Sequence, residues 1–122
     1  MVNLFFIYSA KKYQNLIPMK NESSVVEVVL FDINQGYSKE EATQALKSLN
    51  EVIKLYYGFI ERTTAFNEAG KYIDIIYWKN MKSAKEAAKD MVKNPEAQEA
   101  FKVIKPESIQ MFHFNSFNQY EG

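Results

Sequence analysis

Four segments of this chain read as strands, and they carry large apolar residues on both of their faces. That property is the tightest constraint on the fold. Side chains along a strand alternate between the two sheet faces, so a strand covered on one side alternates apolar with polar. Ser24 to Ile33, SVVEVVLFDI, instead sets Val26, Val28 and Leu30 on one face and Val25, Glu27, Val29 and Phe31 on the other. Lys71 to Trp78, KYIDIIYW, repeats the pattern, with Ile73, Ile75 and Tyr77 opposed to Tyr72, Asp74, Ile76 and Trp78. Phe59 to Phe66 and Ser108 to Asn115 are the other two; in the last, Ile109, Met111 and His113 alternate with Gln110, Phe112 and Phe114.

Helical patterns fill the gaps. Ser38 and Glu41 form a capping-box signature, in which hydroxyl and carboxylate satisfy orphan amides. Ala42, Ala45, Leu46, Leu49, Val52, Ile53 and Tyr56 recur at helical spacing, which predicts a helix to about Tyr56. Gly58 suits the left-handed position that closes it. Asn67 to Gly70 makes a hairpin connection. Asn80 caps a second helix over Met81–Lys93, with Met81, Ala84, Ala87, Ala88, Met91 and Val92 on its buried side. Asn94-Pro95 restarts a short helical extension that Lys105-Pro106 ends.

The order strand, helix, strand, strand, helix, strand is the ferredoxin-like βαββαβ pattern, an α+β fold. Two helices, even with the short extension, cover one face of the sheet. The other face is an apolar patch of the kind that marks a partner surface. Packing two such sheets together predicts a homodimer through the sheet face, a dimeric α/β barrel. The expected organisation is an N-terminal arm over 1–22, the ferredoxin-like domain over 23–115 and a tail over 116–122. The arm contains the apolar run Leu4 to Tyr8. It lacks the basic start and the ~7–15-residue apolar core of a signal peptide, so it reads as an arm packing on the domain or on the partner.

Composition narrows the function. In 122 residues, 15 basic side chains balance 15 acidic ones and no block of like charge occurs. Nucleic-acid binding, which needs a clustered positive field, is not expected. No apolar stretch approaches the ~18 residues of a membrane span. Cysteine is absent, which removes thiolate chemistry and cysteine metal sites and fits a reducing cytoplasm, the expected location.

Few residues can carry chemistry. His113 is the sole histidine; it is either a general base or a histidine hydrogen-bonded within a packed sheet. Glu27, Arg62 and Asp74 are charges in otherwise buried strands, where a charge is costly unless paired. They either surround a ligand pocket with Tyr72 and Trp78, or form an ion pair or reach a strand edge. Trp78 either lines the pocket or fills the core above Met81 and Ala84. One histidine, no cysteine and no carboxylates at ligand spacing make a poor metal site. No Gly-rich phosphate loop and no nucleophile elbow is present.

Several stretches carry a family resemblance: Val25 to Val29, Gly58 to Arg62, Asp74 to Ala87 (the most specific) and Ser108 to Phe114. Over about residues 24–115 the chain resembles the dimeric α+β barrel superfamily that includes the antibiotic-biosynthesis-monooxygenase-like domains. The resemblance implies the fold and the dimer, and a tryptophan at the position of Trp78 that can line a ligand cavity. Relatives on this fold include cofactor-free oxygenases, haem-degrading enzymes and isomerase-like proteins. The haem-degrading relatives hold their iron with a histidine on the second helical segment, where Glu99 to Val103 stand here; no haem, and no other cofactor, is expected. The function implied is a cofactor-independent monooxygenase or isomerase acting on a hydrophobic, aromatic small molecule. The alternative is a non-catalytic module for ligand binding or dimerisation.

Overall fold

The computed structural model describes residues 24–122, and the arm expected over 1–22 lies outside the described residues. The elements are β1 (Val25–Phe31), α1 (Lys39–Ser48), α2 (Asn50–Ile53), β2 (Phe59–Phe66), β3 (Tyr72–Trp78), α3 (Met81–Met91), α4 (Pro95–Phe101), a 3-10 turn (Pro106–Ser108) and β4 (Gln110–Asn115). The strands form one sheet in the order β2-β3-β1-β4, and every neighbouring pair is antiparallel. This is the ferredoxin-like βαββαβ arrangement that the strand and helix pattern predicts.

The local signals act as chemistry requires. The Glu41 amide donates to Ser38 Oγ at 3.0 Å, and the Ser38 amide donates to Glu41 Oε1 at 2.8 Å, closing the capping box on α1. Asn80 and Asn94 accept from the amides of Ser83 and Ala97 and so start α3 and α4. Val25, Glu27, Phe31, Tyr72, Asp74, Ile76 and Trp78 are buried on the sheet face under the helices. Val26, Val28, Leu30, Ile73, Ile75 and Tyr77 alternate with them and are only partly buried. Phe112 and Phe114 extend that open face across β4, stacked with ring centroids 6.1 Å apart and more than two-fifths exposed.

Three features depart from the simple pattern. The helix expected to reach Tyr56 breaks at Leu49 into α1 and α2. There the Leu46 carbonyl accepts from Arg62 Nη1 at 2.8 Å, and the same nitrogen donates to Asn50 Oδ1 at 2.8 Å. A side chain from the sheet thus takes a carbonyl that a continuous helix would use internally. The second departure is a bulge between Phe59 and Glu61. Unbroken alternation from Phe59 would send Arg62 to the open face; the extra residue turns it inward, opposite Ile76. Third, β4 begins at Gln110 rather than Ser108, because Ser108 closes the preceding turn. Its hydroxyl donates to the Lys105 carbonyl at 2.7 Å and accepts from the Asp32 amide at 2.8 Å.

The core falls into two clusters. One gathers Phe31, Leu46, Leu49, Val52, Tyr72 and Ile104 with their neighbours. The other gathers Val25, Ile53, Ile76, Trp78, Ala84 and Ala87. Tyr56 and Met91 pack against both. The Tyr56 hydroxyl donates to Asp90 Oδ2 at 2.6 Å and ties the turn after α2 to α3; partial burial and then the bond to the Asp90 carboxylate push its pKa up to about 12.

Gly58 joins α2 to β2 with φ +86°, and a Cβ there would overlap the Ser83 side chain in the first turn of α3. Gly70, in the β2–β3 hairpin, also has φ +86° but meets nothing within 4 Å. Chemical denaturation should therefore separate strain from collision. Gly70→Ala is expected to cost about 1 kcal/mol for the left-handed backbone alone. Gly58→Ala should cost roughly 2–4 kcal/mol, since overpacking adds to that strain.

Candidate functional site

A cavity of about 310 Å3 lies where the two core clusters meet. Its floor is the inner sheet face, with Glu27, Val29 and Ile76, and its roof includes Leu46, Leu49 and Ile53 from the broken helix and Ala88 and Met91 from α3. Val92, Ile109 and Met111 also line it and are 61%, 44% and 46% exposed, so the mouth lies between the end of α3 and the start of β4. The walls are almost wholly apolar. The charged groups on them are Glu27, Arg62 and Asp74.

Arg62 and Asp74 form a two-pronged ion pair. Arg62 Nε donates to Asp74 Oδ1 at 2.8 Å and Nη2 to Asp74 Oδ2 at 2.7 Å. Thr64 Oγ1 adds a third donor to Asp74 at 3.2 Å. With Nη1 held by Leu46 and Asn50, the guanidinium is anchored on both sides and its side chain is only 4% exposed. Fork-to-fork pairing of this kind is the form in which a buried charge is tolerated.

Glu27 differs. Its Oε1 accepts from the Trp78 indole Nε1–H at 3.0 Å, and His113 Nε2 stands 3.3 Å from the same oxygen. No described residue donates to Oε2. Burial pushes the Glu27 carboxyl above the usual carboxylate range; His113 and the Trp78 bond pull it back down in part, and the Asp74 charge adds a smaller upward push. His113 Nε2 is buried and lacks an aligned hydrogen-bond partner among the described residues. The Glu27–His113 contact is therefore within ion-pair distance but without an aligned hydrogen bond.

Four of the six residues singled out by sequence, Glu27, Arg62, Asp74 and Trp78, line the cavity. His113 does not; it faces the same side of the sheet as Glu27, its neighbour in register, and reaches the cavity only through that carboxyl. Tyr72 is absent from the lining because it sits at the opposite end of β3 from Trp78, roughly 20 Å away at the rise of a strand. It stacks on Phe31 at 5.7 Å and borders a separate shallow pocket with Phe66 and Tyr37. The apolar walls, Leu46, Leu49, Ile53, Met91 and Met111 among them, carried no distinguishing signal, since a cavity wall and a core stripe share one periodicity. Among the described residues, no group of three His, Asp or Glu side chains is placed to hold a metal ion. No described helix is long and apolar enough to cross a membrane.

No family model and no curated protein matches the chain. Solved structures do. SnoaB, a cofactor-independent oxygenase from Streptomyces nogalater, aligns with a TM-score of 0.65 at 14% identity, over 80% of this chain and 96% of that one. A dimeric ferredoxin-like protein from an uncultured marine organism aligns with a TM-score of 0.59 at 16% identity, over 84% and 96%. A conserved Bacteroides thetaiotaomicron protein described as a possible oxidoreductase aligns with a TM-score of 0.57 at 15% identity, over 78% and 99%. At these identities the likeness is one of fold. The chain shares with these proteins the ferredoxin-like α+β fold.

The buried ion pair makes a direct prediction. Arg62→Leu strands the Asp74 carboxylate and is expected to cost about 3–5 kcal/mol in denaturant unfolding. Replacing both, Arg62→Leu with Asp74→Leu, should recover most of that loss.

Proposed function

We propose that the cavity takes up a small, neutral, hydrophobic aromatic molecule and that the protein transforms it without a bound cofactor, by oxygenation or isomerisation. The observation that carries this reading is the cavity itself. It has the few-hundred-Å3 size of small-molecule sites, apolar walls and a small number of convergent polar groups. Arg62 and Asp74 neutralise one another, so the described walls offer no unpaired cation to an anionic ligand. A like fold in a cofactor-independent oxygenase supports the reaction class. Isomerisation moves a proton within the substrate. Oxygenation takes dioxygen and an activated CH2 to a carbonyl and water, the substrate supplying the electrons. Trp78 and Glu27 meet the ligand directly, and His113 acts through Glu27.

Calorimetric titration with 1-naphthol tests the site. Binding in the micromolar range is expected, and Ala88→Trp, which fills the roof, should weaken it at least tenfold. Undiminished binding in that variant would place the ligand elsewhere. Oxygen uptake and product analysis then separate an enzyme from a carrier: a ligand that binds and is released unchanged, across a panel of enolisable aromatics, points to a non-catalytic binding module.

The reading includes a homodimer through the open sheet face. The apolar row of Val26, Val28, Leu30, Ile73, Ile75, Phe112 and Phe114 is continuous across three strands, and a protein of like fold is dimeric. Sedimentation equilibrium should give twice the chain mass, and Val28→Lys, a charge at the centre of that face, should halve it. A wild-type chain that stays monomeric at high concentration would remove the dimer.

A further inference from the structure

The antiparallel register places four residues in one row across the inner sheet face. His113 on β4 faces Glu27 on β1, Glu27 faces Ile76 on β3, and Ile76 faces Arg62 on β2. Neighbouring strands are about 4.8 Å apart, so the Glu27 and Arg62 backbones stand roughly 10 Å from one another with Ile76 as the floor between them. Glu27, Ile76 and Arg62 all line the cavity. At one end of the row, Glu27 Oε2 takes no bond from a described residue. At the other, the guanidinium has five N–H donors, and the bonds to Asp74, Leu46 and Asn50 use four of them. One N–H on Nη2 has no partner among the described residues.

We propose that this row is a proton-transfer site for a neutral, enolisable ketone, with Glu27 Oε2 taking the proton from the carbon beside the carbonyl and the remaining Nη2–H of Arg62 donating to the carbonyl oxygen. The inference rests on the reading that the cavity holds a small apolar ligand, and it specifies that ligand's class. As the C–H bond breaks, its electron pair becomes the carbon–carbon double bond of the enolate, and the carbonyl π pair moves onto oxygen beside Arg62. Glu27 holds the proton. Its return to the same carbon regenerates the ketone; its return to a conjugated carbon completes an isomerisation. No oxidant or reductant enters the step.

His113 is a positioning residue behind Glu27. Its Nε2 lies 3.3 Å from Glu27 Oε1, the oxygen that also accepts the Trp78 bond, so Oε2 is the one left for the ligand in this proposal. The groups that face Glu27 are His113 from β4, the Trp78 indole and the Asp74 carboxylate from β3, the last neutralised by Arg62 from β2. The roof above presents apolar side chains, Leu46, Leu49, Ile53, Ala88 and Met91. A carboxylate so enclosed is a stronger base than one in water, since burial raises its proton affinity.

The test is hydrogen exchange of 2-tetralone, a neutral bicyclic ketone, in D2O, followed by proton NMR beside calorimetric binding. Wild type should speed exchange at the carbon next to the carbonyl by about 100-fold or more over buffer, the range of a positioned base. Glu27→Gln keeps the shape and the acceptor for Trp78; it should bind 2-tetralone within about threefold of wild type and exchange at the buffer rate, the whole contribution of a base being lost. His113→Phe should move the rising limb of the exchange profile to higher pH. Glu27 must be ionised to accept the proton, and removing His113 removes the larger of the two influences, His113 and the Trp78 bond, that hold its pKa down. Exchange unchanged in Glu27→Gln, or wild-type binding without exchange, would overturn the proton-transfer site and leave the cavity reading standing. Absent binding of both 2-tetralone and 1-naphthol would overturn the cavity reading, and this inference with it. Should Glu27→Gln fail to fold, an unshifted profile in His113→Phe would overturn the inference by itself.

Discussion

The two-pronged bond between Arg62 and Asp74 organises the interior of this domain. It joins β2 to β3 on the helix side of the sheet, and the same guanidinium reaches up to Leu46 and Asn50. A buried charge must be matched at each of its donors, because the low-dielectric interior makes an unmatched one costly. The matching here shapes the backbone. The helix yields a carbonyl and breaks at Leu49, and the strand carries a bulge that aims the arginine inward.

The broken helix and the split core go together. Leu46 and Leu49 belong to one cluster and Ile53 to the other, and all three line the cavity between them. A continuous helix would carry its apolar stripe straight across the sheet. The break instead leaves space above Ile76 and Trp78, next to a carboxyl whose affinity for protons burial has raised. Packing is given up at the place where polar groups converge, the trade that the proposed ligand site would require.

Much of the architecture was legible in the chain. The capping box at Ser38, the asparagine caps at Asn80 and Asn94 and the alternation in β1 and β3 are local signals, and local signals survive into the structure. The site was legible in part. Charges inside apolar strands drew notice to Glu27, Arg62 and Asp74, because burial makes such residues expensive wherever the chain goes. Tyr72 and Trp78 looked equivalent in sequence, since both lie on the same face of β3. Only the length of the strand separates them into different pockets. His113 drew notice as the sole histidine, yet its place behind Glu27 depends on the β1–β4 register, which pairs residues 86 positions apart.

The sequence by itself determined the order of strands and helices, the caps that start α1, α3 and α4 and the excess of apolar strand surface over what the helices can cover. These follow from side-chain period and from hydrogen bonding among residues a few positions apart. The tertiary structure decided the bulge that turns Arg62 inward, the break at Leu49, the cavity above Ile76 and the row that brings His113, Glu27 and Arg62 onto one floor. Each of these depends on contacts between segments distant in the chain. Periodicity says which face a residue joins, and only the assembled sheet says which residue stands beside it.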